Sequence, residues 1–224
     1  MNNKCLTIFD SGLKQTPFAT DYKFYINESY IEDVNFNIVK EIILSKEKEI
    51  INNTPIPETD GNTGLGYDSL TSRFDHYNLL TWNETEIQKI YKNIGYHLNF
   101  FFNKILLAVP NKLRIQCWAN VMRKGDQIKP HVHDVSNNSY MGGHICVYAN
   151  NTQTHYINPF KYLAGVDQEI YSSDNKEGKI TLFSDNIPHY TDEVSDDLRI
   201  TIAFDILHEK HIRFNNKNCI DLGC

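Results

Sequence analysis

The chain has no pattern that would pair its cysteines. Cys5, Cys117, Cys146, Cys219 and Cys224 make an odd count of five, and no two of them form a Cys-x-x-Cys pair. Neither a disulfide framework nor a zinc knuckle is indicated, and reduced thiols are expected. Long apolar runs are lacking too: no stretch approaches the roughly 20 residues that span a bilayer. The opening MNNKCLTIFDSGLKQ has neither the apolar core nor the small-residue cleavage site of a signal peptide. A soluble, cytoplasmic protein is the expectation. There is no surplus of positive charge, since 22 Lys and Arg face 28 Asp and Glu for a net charge of −6. That balance gives no general electrostatic reason to bind nucleic acid. Internal repeats and low-complexity linkers are also missing, so the 224 residues fit one domain, 1–224, long enough to bury a core.

What is present divides by periodicity. Residues 34–53 place Val34, Ile38, Ile42, Ile43 and Ile50 at helix-compatible spacings among charged residues. After them, TPIPETDGNTGLGYDSLTSRFDHYNLLTW is dense in Pro, Gly, Asp and Asn and keeps no period, as a long loop or substrate lid does. A second helix is predicted with Asn83 as N-cap, Glu84 and Glu86 in its first turn, and Ile87, Ile90, Tyr91, Ile94 and Leu98 as an apolar stripe. From Leu113 the period changes. LRIQCWANVMRKGDQ, GHICVYAN, KITLFSD and LRITIAFDIL are short, rich in β-branched and aromatic residues, and bounded by turn formers. The fold class expected is mainly β with N-terminal helices, a sandwich or barrel of which the jelly roll is one solution. Residues 1–110 supply helical support and a loop or lid, 111–210 the β core, and 211–224 a mobile tail that holds Cys219 and Cys224.

The chemistry concentrates in KPHVHD. Pro130 biases Lys129 toward an extended conformation, which would place His131 and His133 two apart on one face of a strand, able to converge on one ion. A surface pair of hydrogen-bonded histidines is the bland alternative. In GKITLFSDNIPHYTDEVSDDLRITIAFDIL, His189 stands at the far end of a polar turn, Arg199 follows ten residues later, and Thr201 lies two beyond it. This arrangement resembles the iron(II)- and 2-oxoglutarate-dependent oxygenases, whose pattern is His-x-Asp/Glu, a distal His, and then an Arg or Lys followed by x-Ser/Thr. Upstream, WANVMRKGDQIKPHVH is similar to uncharacterised, often phage-encoded members that carry Trp-x-Asn and His-x-His. The likeness covers roughly residues 113–207.

The resemblance implies a double-stranded β-helix, the jelly-roll or cupin-like form, and an enzyme that hydroxylates its substrate while 2-oxoglutarate is decarboxylated to succinate. It implies iron(II) and 2-oxoglutarate as cofactor and co-substrate, with dioxygen as the second partner. Residue by residue, it makes His131 and His189 metal ligands and gives Arg199 and Thr201 the far carboxylate of 2-oxoglutarate. Arg suits that task because its planar fork grips a carboxylate at two points, where Lys offers a point charge. His133 occupies the position where the family has its carboxylate. Three possibilities stay open: three histidines, with His133 third; a bulge that turns Asp134 inward to complete His131 and His189; or a site that has lost its metal or uses a carboxylate from elsewhere in the chain. Asn120 and Tyr148, on neighbouring strands, are candidates for the co-substrate pocket. His144 and His155 read more simply as ordinary hydrogen-bonded histidines, and Arg73 and His76 as loop residues that could reach a substrate. Two rival readings are a three-histidine cupin-like dioxygenase without 2-oxoglutarate, which leaves Arg199 no task, and a non-catalytic jelly-roll binding module.

Overall fold

The computed structural model describes residues 4–136, 138, 140–164 and 169–223. Among these residues, ten strands and three α-helices follow in the order β1 Lys4–Asp10, β2 Lys23–Tyr30, α1 Phe36–Asn53, α2 Thr85–Lys104, β3 Leu113–Arg123, β4 Met141–Tyr148, β5 Gln153–Ile157, α3 Pro159–Ala164, β6 Ile170–Asp174, β7 Lys179–Ser184, β8 His189–Thr191, β9 Leu198–His208 and β10 Ile220–Asp221. Seven strands form the large sheet in the order β1-β2-β7-β4-β9-β3-β10, and three form the small one, β6-β5-β8. Every pairing is antiparallel. The protein is mainly β, with the double-stranded β-helix that the sequence predicts.

Strand alternation sorts the large sheet into two faces. On β9, Ile200, Ile202, Phe204 and Ile206 are fully buried on the face that meets the helices, in one cluster with Val39 and Ile43 of α1 and Ile87, Ile90, Ile94 and Leu98 of α2. Arg199, Thr201, Ala203 and Asp205 point the opposite way, because successive side chains of a strand leave opposite faces. Opposite them on β3 stand Met122, Asn120, Trp118 and Gln116. This second face looks toward the small sheet and carries the site. Burying four fully enclosed Ile or Phe side chains on one face of β9 stabilises the sheet by about 1.5–3 kcal/mol each before the entropy of ordering is set against it.

Several local expectations change. Helix α2 begins at Thr85 with Glu84 in the capping position and no side-chain cap, so Asn83 does not cap it. In α1 the buried face is Phe36, Val39 and Ile43, and Ile38 is exposed. Residues 4–30, which the pattern leaves without an element, form β1 and β2 at the edge of the large sheet. The segment after β9 is docked and not a loose tail. β10 pairs with β3, Leu222 is buried, and the Cys219 thiol is buried against Gln116. Cys224 lies outside the described residues. Among the described residues, no helix is long and apolar enough to cross a membrane.

Candidate active site

Three imidazoles meet between the sheets. His131 is held to His189 by two backbone hydrogen bonds, N–H to O in each direction at 3.1 and 3.0 Å, an isolated antiparallel bridge. The backbone N–H of His133 donates to the Asp185 carbonyl at 3.0 Å. Residues 131–133 therefore run extended along β8 and the turn before it, although they belong to no regular strand, and the two rings lie on one side. Ring centroids are 5.5 Å apart for His131 and His133, 4.4 Å for His131 and His189, and 5.0 Å for His133 and His189. One ring nitrogen from each lies within 4.8 Å of the others.

The second nitrogen of every ring is already committed. Nδ1 of His131 donates to the Lys129 carbonyl at 2.9 Å, Nδ1 of His189 to the Ile187 carbonyl at 3.0 Å, and Nδ1 of His133 to Oδ1 of Asp205 at 2.5 Å. Partners that only accept fix each neutral ring as the Nδ1–H tautomer and leave Nε2 with a free lone pair. Metal-binding histidines are oriented in this way. Burial, then the neighbouring His133, pushes the His131 ring down to about 4. Burial, with His131 and His133 beside it, holds His189 well below the usual histidine range. For His133, burial works against the proton but Asp205 outweighs it, and the net shift is upward. Asp185 is fully buried, and burial together with the Asp205 charge raises its carboxyl to about 7.

Arg199 lies deeper on the same face of β9 that carries Asp205. Its side chain is buried, Nη1 touches the Met122 sulfur at 3.1 Å, Nη2 reaches the Thr154 hydroxyl at 3.5 Å, and Nε has no partner. Among the described residues no carboxylate lies within ion-pair distance of it, and burial pulls its pKa down from the ordinary arginine value. Thr201 accepts from Asn120 Nδ2 at 3.1 Å, and Asn120 Oδ1 in turn accepts from the Thr71 hydroxyl at 2.9 Å. A narrow inner chamber is lined by Arg199, Thr201, Asn120, Thr154, Thr191, His144 and the three clustered histidines. An outer chamber of about 280 Å³ opens from His131 and His133 and is walled by Phe74, Trp118, Asp60, Asp75, Asp205 and Arg213.

The structure separates the remaining candidates. The Asp134 carboxylate turns away from the histidines to Ser136 and to His211 Nε2 at 3.0 Å, so it does not join the cluster. Tyr148 leaves the pocket face because a register shift between Cys146 and Tyr148 sets it opposite Ile200, on the helix side, with Lys40 Nζ 5.1 Å from its ring. His144 lines the inner chamber with Nε2 on the Tyr156 hydroxyl at 2.7 Å. His155 is saturated by Ser172 and Asp192. Arg73 is buried against the Tyr67 carbonyl and Ser72; His76 lines neither chamber, whereas Thr63, Thr71, Phe74 and Asp75 of the same loop do. Sequence reasoning missed Asp205, Asp185, Arg213 and Thr154. For Asp205 a signal exists: it stands six residues after Arg199, an even separation that puts both on one strand face.

Residues 116–205 match the model of the family described as "Putative 2OG-Fe(II) oxygenase". That match spans the core of the fold and makes the chain similar to the 2OG-Fe(II) oxygenases over those residues. The fold of the chain is similar to that of a prolyl-4-hydroxylase from Pseudomonas putida, at 9% identity and a TM-score of 0.52 over 82% of this chain and 92% of that one. It is also similar to the viral collagen prolyl hydroxylase of Paramecium Bursaria Chlorella virus-1, solved with 2OG, at 11% identity and a TM-score of 0.51 over 81% and 94%. A third likeness is SnoK, an alpha-ketoglutarate-dependent carbocyclase from nogalamycin biosynthesis, at 9% identity and 0.53 over 81% and 79%. Among curated proteins none matches. The matched family implies iron(II) as the metal and 2-oxoglutarate with dioxygen as co-substrates. The donor set suits that chemistry: three oriented imidazoles favour a transition metal, and an unpaired buried guanidinium favours a carboxylate ligand.

Proposed function

We propose that His131, His133 and His189 hold iron(II) through their Nε2 atoms, that Arg199 with Thr201 and Thr154 anchors the far carboxylate of 2-oxoglutarate, and that the outer chamber receives a substrate that is hydroxylated. When bound, iron(II) and 2-oxoglutarate would activate dioxygen, the oxidant, with one oxygen atom entering succinate as the co-substrate loses CO2 and the other entering the substrate. The chain's own residues do the rest. The Nδ1 bonds aim the rings, Asn120 and Thr71 orient the Thr201 hydroxyl, and Phe183 and Tyr156 keep the histidine cluster dry. The free buried thiols of Cys117, Cys146 and Cys219 support a reducing, cytoplasmic setting.

The observation that carries this reading is the lone charge of Arg199. A buried guanidinium without a counter-ion is costly unless something anionic arrives to meet it. It shares its chamber with the three imidazoles, so a dicarboxylate with one end on each satisfies both. The test is calorimetric titration with 2-oxoglutarate in the presence of manganese(II). Binding to the parent, loss of about 100-fold in affinity in Arg199→Ala, and partial recovery in Arg199→Lys are expected, as a charge-assisted two-point contact gives way to none and then to a point charge. Unchanged affinity in Arg199→Ala removes the co-substrate assignment.

A further inference from the structure

Three neutral imidazoles bring no charge to a dipositive metal, whereas two histidines and a carboxylate bring one negative charge. Resting on the metal assignment above, we propose that Asp205 is a positioning residue that delivers this charge through His133, one ring behind the place where the resemblance expects a carboxylate. Only His133 of the three is backed by a carboxylate; His131 and His189 are backed by backbone carbonyls. The His133–Asp205 contact is enclosed, with side-chain exposures of 8% and 3%. Asp205 is fixed from its other oxygen by Arg213 Nη2 at 2.6 Å. A carboxylate bonded to the far nitrogen makes an imidazole a stronger, better oriented donor.

The strand beneath is shaped for this pair. Gly142 of β4 lies opposite Asp205 in the register, and a Cβ there would sit 2.9 Å from His133 Nδ1 and 3.2 Å from Asp185 Oδ1. Any larger residue would push the ring off its partner. With its backbone N–H on the Asp185 carbonyl and its ring on Asp205, His133 is held at both ends.

A purely structural Asp205, needed only to pair with Arg213, has a different signature, and two sets of variants in the full chain separate the roles. Manganese(II) affinity is measured by calorimetry, with thermal melting as the check on folding. Asp205→Asn is expected to weaken manganese binding by about 10- to 100-fold. Asp205→Glu, which keeps the charge, should bind more tightly than Asp205→Asn, whereas a packing role favours the isosteric Asn. In a His133→Asp background, where a carboxylate meets the metal directly and Asp205 only repels it, adding Asp205→Asn should leave affinity unchanged or raise it. Parent-like binding by Asp205→Asn overturns the proposal, as does the same fold loss in both backgrounds. If His133→Asp does not fold, the order of Glu and Asn decides. A parent that binds no manganese overturns the metal assignment itself, and this inference with it.

Discussion

Arg199 and Asp205 stand six residues apart on one face of one strand, both buried and both charged, yet their surroundings are opposite. Asp205 is saturated, with His133 at 2.5 Å and Arg213 at 2.6 Å. Arg199 has a sulfur, a long contact to one hydroxyl, and an Nε with nothing. On the proposed roles, the fold treats a charge that holds a ring in place differently from one that waits for a diffusible ligand. The first is paired within the chain; the second, without a counter-ion, is expected to cost stability until an anion meets it. Strain of this kind, kept where a ligand relieves it, is a usual cost of a binding site.

The comparison breaks most visibly if Arg199 is made apolar. Arg199→Met should stabilise the ligand-free protein by about 1–3 kcal/mol in urea unfolding, because an unpaired buried charge is replaced by a side chain suited to its neighbours. The same variant should lose the rise in Tm that 2-oxoglutarate with manganese gives the parent. A destabilised Arg199→Met would show that the guanidinium is structural and that the contrast with Asp205 is false. A smaller effect sharpens the Asp205 side. Gly142→Ala should weaken manganese binding about tenfold by displacing His133, in the range of lost orienting contacts; Gly142 is not among the left-handed glycines, so the effect is steric. Parent-like affinity would mean that the ring does not need its seat. Asp134→Ala is the smallest in metal affinity, with less than a twofold change for manganese, while loss of its bond to the buried His211 should cost about 1–3 kcal/mol of stability. Loss of the metal in that variant would restore the ligand set of His131, Asp134 and His189.

What could be read in advance follows the range of the forces involved. The strands β3, β4, β7 and β9 were legible because each is rich in β-branched, aromatic or other apolar residues and lies between turn formers, so local sequence carries their pattern. The histidines, Arg199 and Thr201 stood out through their spacing and through the resemblance. Tyr148 was misplaced because a one-residue register shift is invisible to an alternation rule and flips the side chain to the other face. Asp205 and Arg213 escaped because their meaning is tertiary: an Asp late in an apolar strand and an Arg beyond its end have no local reason to meet a histidine 72 residues earlier. Residues 4–30 were unread because β1 and β2 owe their place to the edge of β7 more than to their own periodicity. The loop before α2 was recognised as a loop, but which of its residues reach inward, Thr71 and Phe74 in place of Arg73 and His76, depends on a 3₁₀ turn at Thr71–Arg73 that its composition does not announce.

The docked segment after β9 also sets an order of assembly. His131 and His133 leave the ribosome long before Asp205, and Arg213 follows eight residues after that. During synthesis from the N-terminus the early histidines are present without the carboxylate that seats one of them, and that carboxylate precedes the guanidinium that steadies it. A metal met early finds mobile rings of low affinity. The finished site exists only once β9 has inserted between β4 and β3 and the following turn has brought Arg213 back over it. On the proposed ligand set, metal loading is expected to wait until the sheet is complete, so the order of residues along the chain would set its timing.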